Sequence, residues 1–182
     1  MRNSGQRGRK GYTLVELALA VGVGMMVAAM SLMLFNQQVS FIRIFRAQDF
    51  LTKEAPLVNN YMGRVVGAAD GYALYETIAD LNGGSNAVLT NAKVIMLRFA
   101  EADGNERAAV VSYETFGGED GLYFRLVPDK WVPGASASLG DPDWAISKQP
   151  ANVVFNVEQG ILRMMITGPN GEEITYSGTQ QL

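Results

Sequence analysis

Glu16 is the residue whose chemistry first asks for an explanation. It stands immediately before nineteen uncharged, mostly apolar residues, Leu17–Phe35. A charged side chain at the centre of a bilayer-spanning helix costs about 2.5–3.5 kcal/mol on insertion scales, and less near an end. A carboxylate in that place is tolerable if a cation meets it, so the chemistry it offers is ion pairing. The other candidates are loop residues. Asp141 and Asp143, with Glu119 and Asp129, supply the oxygen ligands calcium takes, without the twelve-residue EF-hand spacing. Trp131 and Trp144 are candidate partner contacts, or pins holding their loop to a sheet. The adjacent pair Ser147-Lys148 has no spacing that builds a Ser-Lys hydrolase, and Glu119-Asp120 none that builds a glycosidase. No phosphate-binding or dinucleotide fingerprint occurs.

Composition excludes whole classes of chemistry. The 182 residues include no cysteine and no histidine. Disulfides, thiolate metal sites, Ser-His-Asp triads and imidazole acid–base catalysis are therefore impossible for this chain alone. The expectation is a non-enzyme without a cofactor, with no metal beyond the calcium candidates.

Charge is divided sharply. The first eleven residues carry Arg2, Arg7, Arg9 and Lys10 and no acid. Removing those four from fifteen basic side chains leaves eleven against eighteen acids, a balance of −7 for the rest. An acidic body argues against nucleic acid as a partner. The basic head fits the positive-inside rule and a cytoplasmic N-terminus. A helix over Leu17–Phe35 is about 30 Å long, one hydrocarbon thickness. Gly22 and Gly24 weaken an isolated helix but are tolerated in membranes, and the small residues Ala18, Ala20, Ala28 and Ala29 allow helices to approach closely.

Three readings of this head compete. A plain signal anchor leaves Glu16 unexplained. An ordinary signal peptide cut after Ala29, at Val27-Ala28-Ala29, yields a secreted or periplasmic binding protein starting inside a helical pattern. The third uses every feature: Lys10-Gly11-Tyr12-Thr13-Leu14-Val15-Glu16-Leu17 resembles the prepilin signal of the type IV pilin-like family. The resemblance implies removal of a leader, residues 1–11, by a prepilin peptidase cutting between Gly11 and Tyr12, and N-methylation of Tyr12. It implies that Glu16 meets the Tyr12 amine of a neighbouring subunit, a pairing that sets register more than stability. Its further implications are a precursor in the inner membrane and in membrane lipid, an assembly platform there, and a pilus or type II secretion-like pseudopilus of similar subunits. The absence of a proline from Leu17–Phe35 and of any disulfide departs from many major pilins and favours a minor subunit.

The elements that position these residues are readable downstream. Ala47, Leu51, Ala55, Val58, Met62, Val65, Val66 and Ala69 recur at helical spacing, making 36–69 an amphipathic continuation of the apolar half, 12–35. Pro56 is expected to kink or break it. Strands are expected over Lys93–Ala100, Ala108–Thr115, Leu122–Val127, Val153–Val157, Ile161–Thr167 and Ile174–Tyr176, with 129–151 a long irregular loop. The fold class is α+β: a long N-terminal helix packed on a C-terminal antiparallel sheet within a head, 70–182. That agrees with the pilin-like architecture the leader implies.

Overall fold

A computed structural model describes residues 12–101, 104–129, 131–135 and 137–178. They fall into two units that divide between Ile44 and Phe45.

The first unit is helical. Helix α1 (Leu14–Asp49) begins in it, and from Tyr12 to Ile44 every residue is exposed except Val39, which is half-buried. Apolar residues lie on all sides of this segment, so no single face is set aside for packing. Ser31 and Ser40 donate their hydroxyls to the carbonyls of Val27 (2.8 Å) and Asn36 (3.1 Å). Back-bonding of this kind satisfies a hydroxyl without water. By length and composition this is a helix able to cross a membrane.

The second unit begins with the end of α1. A π-helical turn (Phe50–Glu54) follows, then α2 (Ala55–Gly67). Pro56 does not end the helical path, but the α-helical repeat is interrupted just ahead of it, as expected. It sits in the first turn of α2, where its missing N–H costs nothing, and the wider turn ahead of it absorbs the ring. The Ala55 N–H donates to the Phe50 carbonyl, five residues back. The turn also shifts the buried face. Phe50 and Ala55 are buried together, and Val58, Met62, Val66 and Ala69 continue the face. Burial thus starts at Phe50, not at 36; Phe41, Ile42, Ile44 and Phe45 are 52–67 % exposed. Phe50 was absent from the expected stripe. It packs where Gly168 has no side chain, since a Cβ there would lie 2.6 Å from the Phe50 ring.

The head holds two antiparallel sheets rather than one. The first has the order β1 (Gly71–Tyr75), β2 (Val94–Ala100), β3 (Glu106–Phe116), β4 (Glu119–Leu126), β5 (Trp144–Ser147). The second is β6 (Asn152–Glu158), β7 (Ile161–Thr167), β8 (Glu173–Gly178). A short helix, α3 (Ile78–Gly83), follows β1; Thr77 caps it by accepting the Asp80 N–H. Residues 88–92 stitch the sheets together. Val88 N–H donates to Leu74 O on β1, while Ala92 and Phe155 exchange both backbone bonds at 3.0 and 2.7 Å. The strands β1, β5 and α3 were not anticipated, and β5 lies inside the expected 129–151 loop.

Alternation along the strands gives the first sheet two covered faces. One face, including Ile95, Leu97, Val111, Leu122 and Phe124, shares a core with α2 and with Val153, Phe155 and Ile166 of the second sheet. The other face carries Tyr75, Val94, Met96 and Val110 beneath Leu81 of α3 and Leu139, with Trp131 packed against them.

Candidate functional site

The N-terminal constellation is built around helix entry. Thr13 donates its backbone N–H and its hydroxyl to Glu16 Oε2 at 2.9 and 3.0 Å. Glu16 returns its own N–H to Thr13 Oγ1 at 3.3 Å, and Leu17 N–H closes the first turn on Thr13 O at 3.1 Å. This is a capping box, satisfying donors that the first turn would otherwise leave unpaired. Its signature, Thr-x-x-Glu before an apolar run, was present in the sequence and passed over. Tyr12, ahead of it, is 88 % exposed. Gly11 and the basic leader lie outside the described residues. A Cβ on Gly22 or Gly24 would meet nothing within 4 Å, so neither glycine serves packing within the chain.

The head separates the two tryptophans. Trp144 stacks on Phe124 (centroids 4.3 Å, 13° between planes), and Phe124 in turn meets Tyr61 of α2 edge-on at 6.3 Å. Burial raises the Tyr61 hydroxyl above its ordinary pKa, partly offset by the hydrogen bond from Trp144. Trp144 is still 45 % exposed. Trp131 lies over the opposite face of the sheet, its indole N–H donating to Ala137 O at 2.6 Å. Trp131 therefore fastens irregular chain over the sheet, whereas Trp144, the first residue of β5, is itself part of the sheet.

Asp143 is occupied by the backbone: its carboxylate accepts the Leu126 N–H at 2.6 Å. Among the described residues no three acidic side chains converge as a metal site would need, so Asp141 and Asp143 have no third partner. Ser147 donates to Glu54 at 2.6 Å and Lys148 pairs with Glu119, so the adjacent pair is engaged in two separate directions.

No family model, no curated protein and no solved structure matches this chain.

One polar cluster escaped the sequence reading. Arg125, 5 % exposed, pairs with Glu114 at 2.5 Å, donates to Ser112 Oγ at 2.7 Å and holds Gly140 O at 3.0 Å. It ties the 139–140 stretch to the sheet. Only the strand register, Ser112 opposite Tyr123 and Val110 opposite Arg125, brings these groups together. A lone arginine in an alternating strand carries no local signal of that.

Proposed function

We propose that this chain is a pilin-like subunit, minor in type, of a type IV pilus or a type II secretion-like pseudopilus. The observation that carries the reading is an apolar helix left uncovered from Tyr12 to Ile44 and entered through a carboxylate, Glu16, four residues after the Tyr12 of a Lys-Gly-Tyr junction. An apolar surface on every side of a helix needs lipid or other apolar helices around it. Filament assembly supplies each in turn: membrane lipid before assembly, neighbouring subunits after. The precursor sits in the inner membrane with its leader cytoplasmic, a prepilin peptidase removes residues 1–11, and Tyr12 becomes the methylated N-terminus. An assembly platform then feeds the subunit into the filament. The role is structural rather than catalytic, and the fold is then pilin-like in the arrangement of a long helix and an antiparallel head.

Glu16 has two uses in this scheme. In the lone chain it caps its own helix. In a filament it also faces the Tyr12 amine of the next subunit, where both partners carry a full charge rather than the carboxylate alone.

Mass spectrometry of the native N-terminal peptide tests the reading. A chain starting at Tyr12 with one added methyl group is expected. A chain starting at Met30 would overturn it in favour of an exported soluble protein. Glu16→Ala is expected to be processed normally and to be lost from filaments; normal incorporation would remove the register role.

A further inference from the structure

The face of the first sheet opposite α2 contains a cavity of about 470 Å³. Its floor is Ala73, Tyr75, Met96, Arg98 and Ala108, and one wall is the chain that leaves β4, including Trp131. The register explains the void. Arg98 is flanked across the strands by Gly71 and Ala108, and Met96 by Ala73 on one side, so the neighbouring strands place small residues along the floor. The Arg98 guanidinium lies over Gly71, 3.5 Å from where a Cβ would stand.

The wall is fixed in place. Trp131 is held by its indole bond to Ala137 and by its backbone N–H on Pro128 O (3.1 Å). Leu139 N–H donates to Asn82 Oδ1 of α3 at 2.9 Å, and Arg125 holds Gly140. Gly84 and Gly134 touch backbone to backbone: at φ +69 and +79, a Cβ on Gly84 would fall 2.9 Å from the Gly134 Cα. A preformed, largely apolar hollow of this size with a few polar groups suits a small molecule.

Its charged groups specify the class. Arg107 is paired with Glu101 at 2.5 Å, whereas Arg98 has no carboxylate partner among the described residues. The exposed carboxylates of Glu106 and Asp129 line the same cavity. Among the described residues, one open cation, two acids and an apolar, aromatic interior match a zwitterion with a large apolar side chain. We infer that the cavity binds a free apolar amino acid or dipeptide: carboxylate on Arg98, ammonium on Glu106 and Asp129, side chain against Trp131 and Met96. This goes beyond the filament reading and stands independently of it.

Titration of the full chain in detergent with L-phenylalanyl-L-phenylalanine tests this. Trp144→Phe leaves Trp131 as the sole tryptophan reporter. Saturable binding near or below about 1 mM is expected. Amidating the peptide's C-terminus, acetylating its N-terminus, or changing Arg98 to Gln should each weaken it about tenfold or more, the loss of one charged hydrogen-bonding partner. Ala108→Leu should abolish it by filling the floor. Arg98 is exposed, so R98Q keeps the fold and the experiment decisive if the leucine variant does not fold. Binding indifferent to amidation and to R98Q, or no saturable binding by the unmodified chain, would overturn the assignment.

Discussion

Phe35 and Phe155 carry the same side chain and meet opposite surroundings: the first is 63 % exposed, the second fully buried. The difference runs through both units. From Tyr12 to Ile44 the chain is richly apolar and buries almost nothing; from Phe50 onward a smaller share of apolar residues builds a closed core. Pattern, not quantity, decides which of them closes a core. In α2 the apolar positions fall on one face, which the sheets cover; in the apolar half of α1 they fall everywhere, so no single partner element covers them. The second unit solves its burial problem within the chain. The first leaves it to the surroundings.

Matched truncations measure that contrast most directly. Phe155→Ala should destabilise the head by about 3–5 kcal/mol, the cost of a large core cavity. Phe35→Ala should leave it within about 0.5 kcal/mol. Denaturant unfolding of the detergent-solubilised chain, followed by tryptophan fluorescence, reads both; a comparable loss from Phe35→Ala would erase the distinction between the units. The next largest effect belongs to Arg125→Ala, expected to cost about 3 kcal/mol because Glu114 and Ser112 lose their buried partner. Arg125→Met, which keeps the packing, isolates the charge.

On the first unit, Thr13→Ala should weaken the entry of α1 by about 1 kcal/mol, and Thr13→Ser should restore it. Amide exchange in the first turn is the readout, and unchanged protection would mean the capping box contributes nothing. The smallest effect is electrostatic. The hydrogen bond and charge of Lys148 hold Glu119 below the ordinary value of 4.5, and Glu119 holds Lys148 above 10.5. The Glu119 contribution is present above 4.5 and fades as pH falls through its lowered value. The Lys148 contribution is present below 10.5 and fades as pH rises through its raised value. The pair therefore acts across the whole range between. Both groups are exposed, so salt should screen it. Carboxyl NMR titration of Glu119 should show the depressed pKa relax toward 4.5 in Lys148→Met.

Six of the eight strands were legible because short apolar runs bounded by turn residues mark strands without any knowledge of partners, as in Ile161–Thr167 between Gln159-Gly160 and Pro169-Asn170-Gly171. Trp144–Ser147 is four residues long and becomes a strand only by pairing with Leu122, Tyr123 and Phe124, with a register shift between Leu122 and Tyr123. Gly71–Tyr75 hides behind an opening glycine and is defined by β2 alongside it. The number of sheets was illegible for the same reason: connectivity between strands is not a local property. The stripe on α2 was read correctly from Ala55 onward. Ahead of it the π-helical turn changes the repeat, which a fixed 3.6-residue period cannot follow. At the candidate site, Glu16 was visible as an anomaly in an apolar run. Its bond to Thr13 was equally visible as a four-residue motif, eclipsed by the question of what lies outside the chain.

The strip at 88–92 has a consequence for motion. Because the same few residues hydrogen-bond β1 on one side and β6 on the other, neither sheet can peel away while the strip is in place. Opening is therefore collective at the seam and piecemeal at the far edges, where β5 and β8 each have a strand neighbour on one side alone among the described residues. The amides of Ala92 and Phe155 should exchange with solvent only when the whole head opens, while those of β8 exchange by fraying, giving one small domain a slow centre and a fast margin.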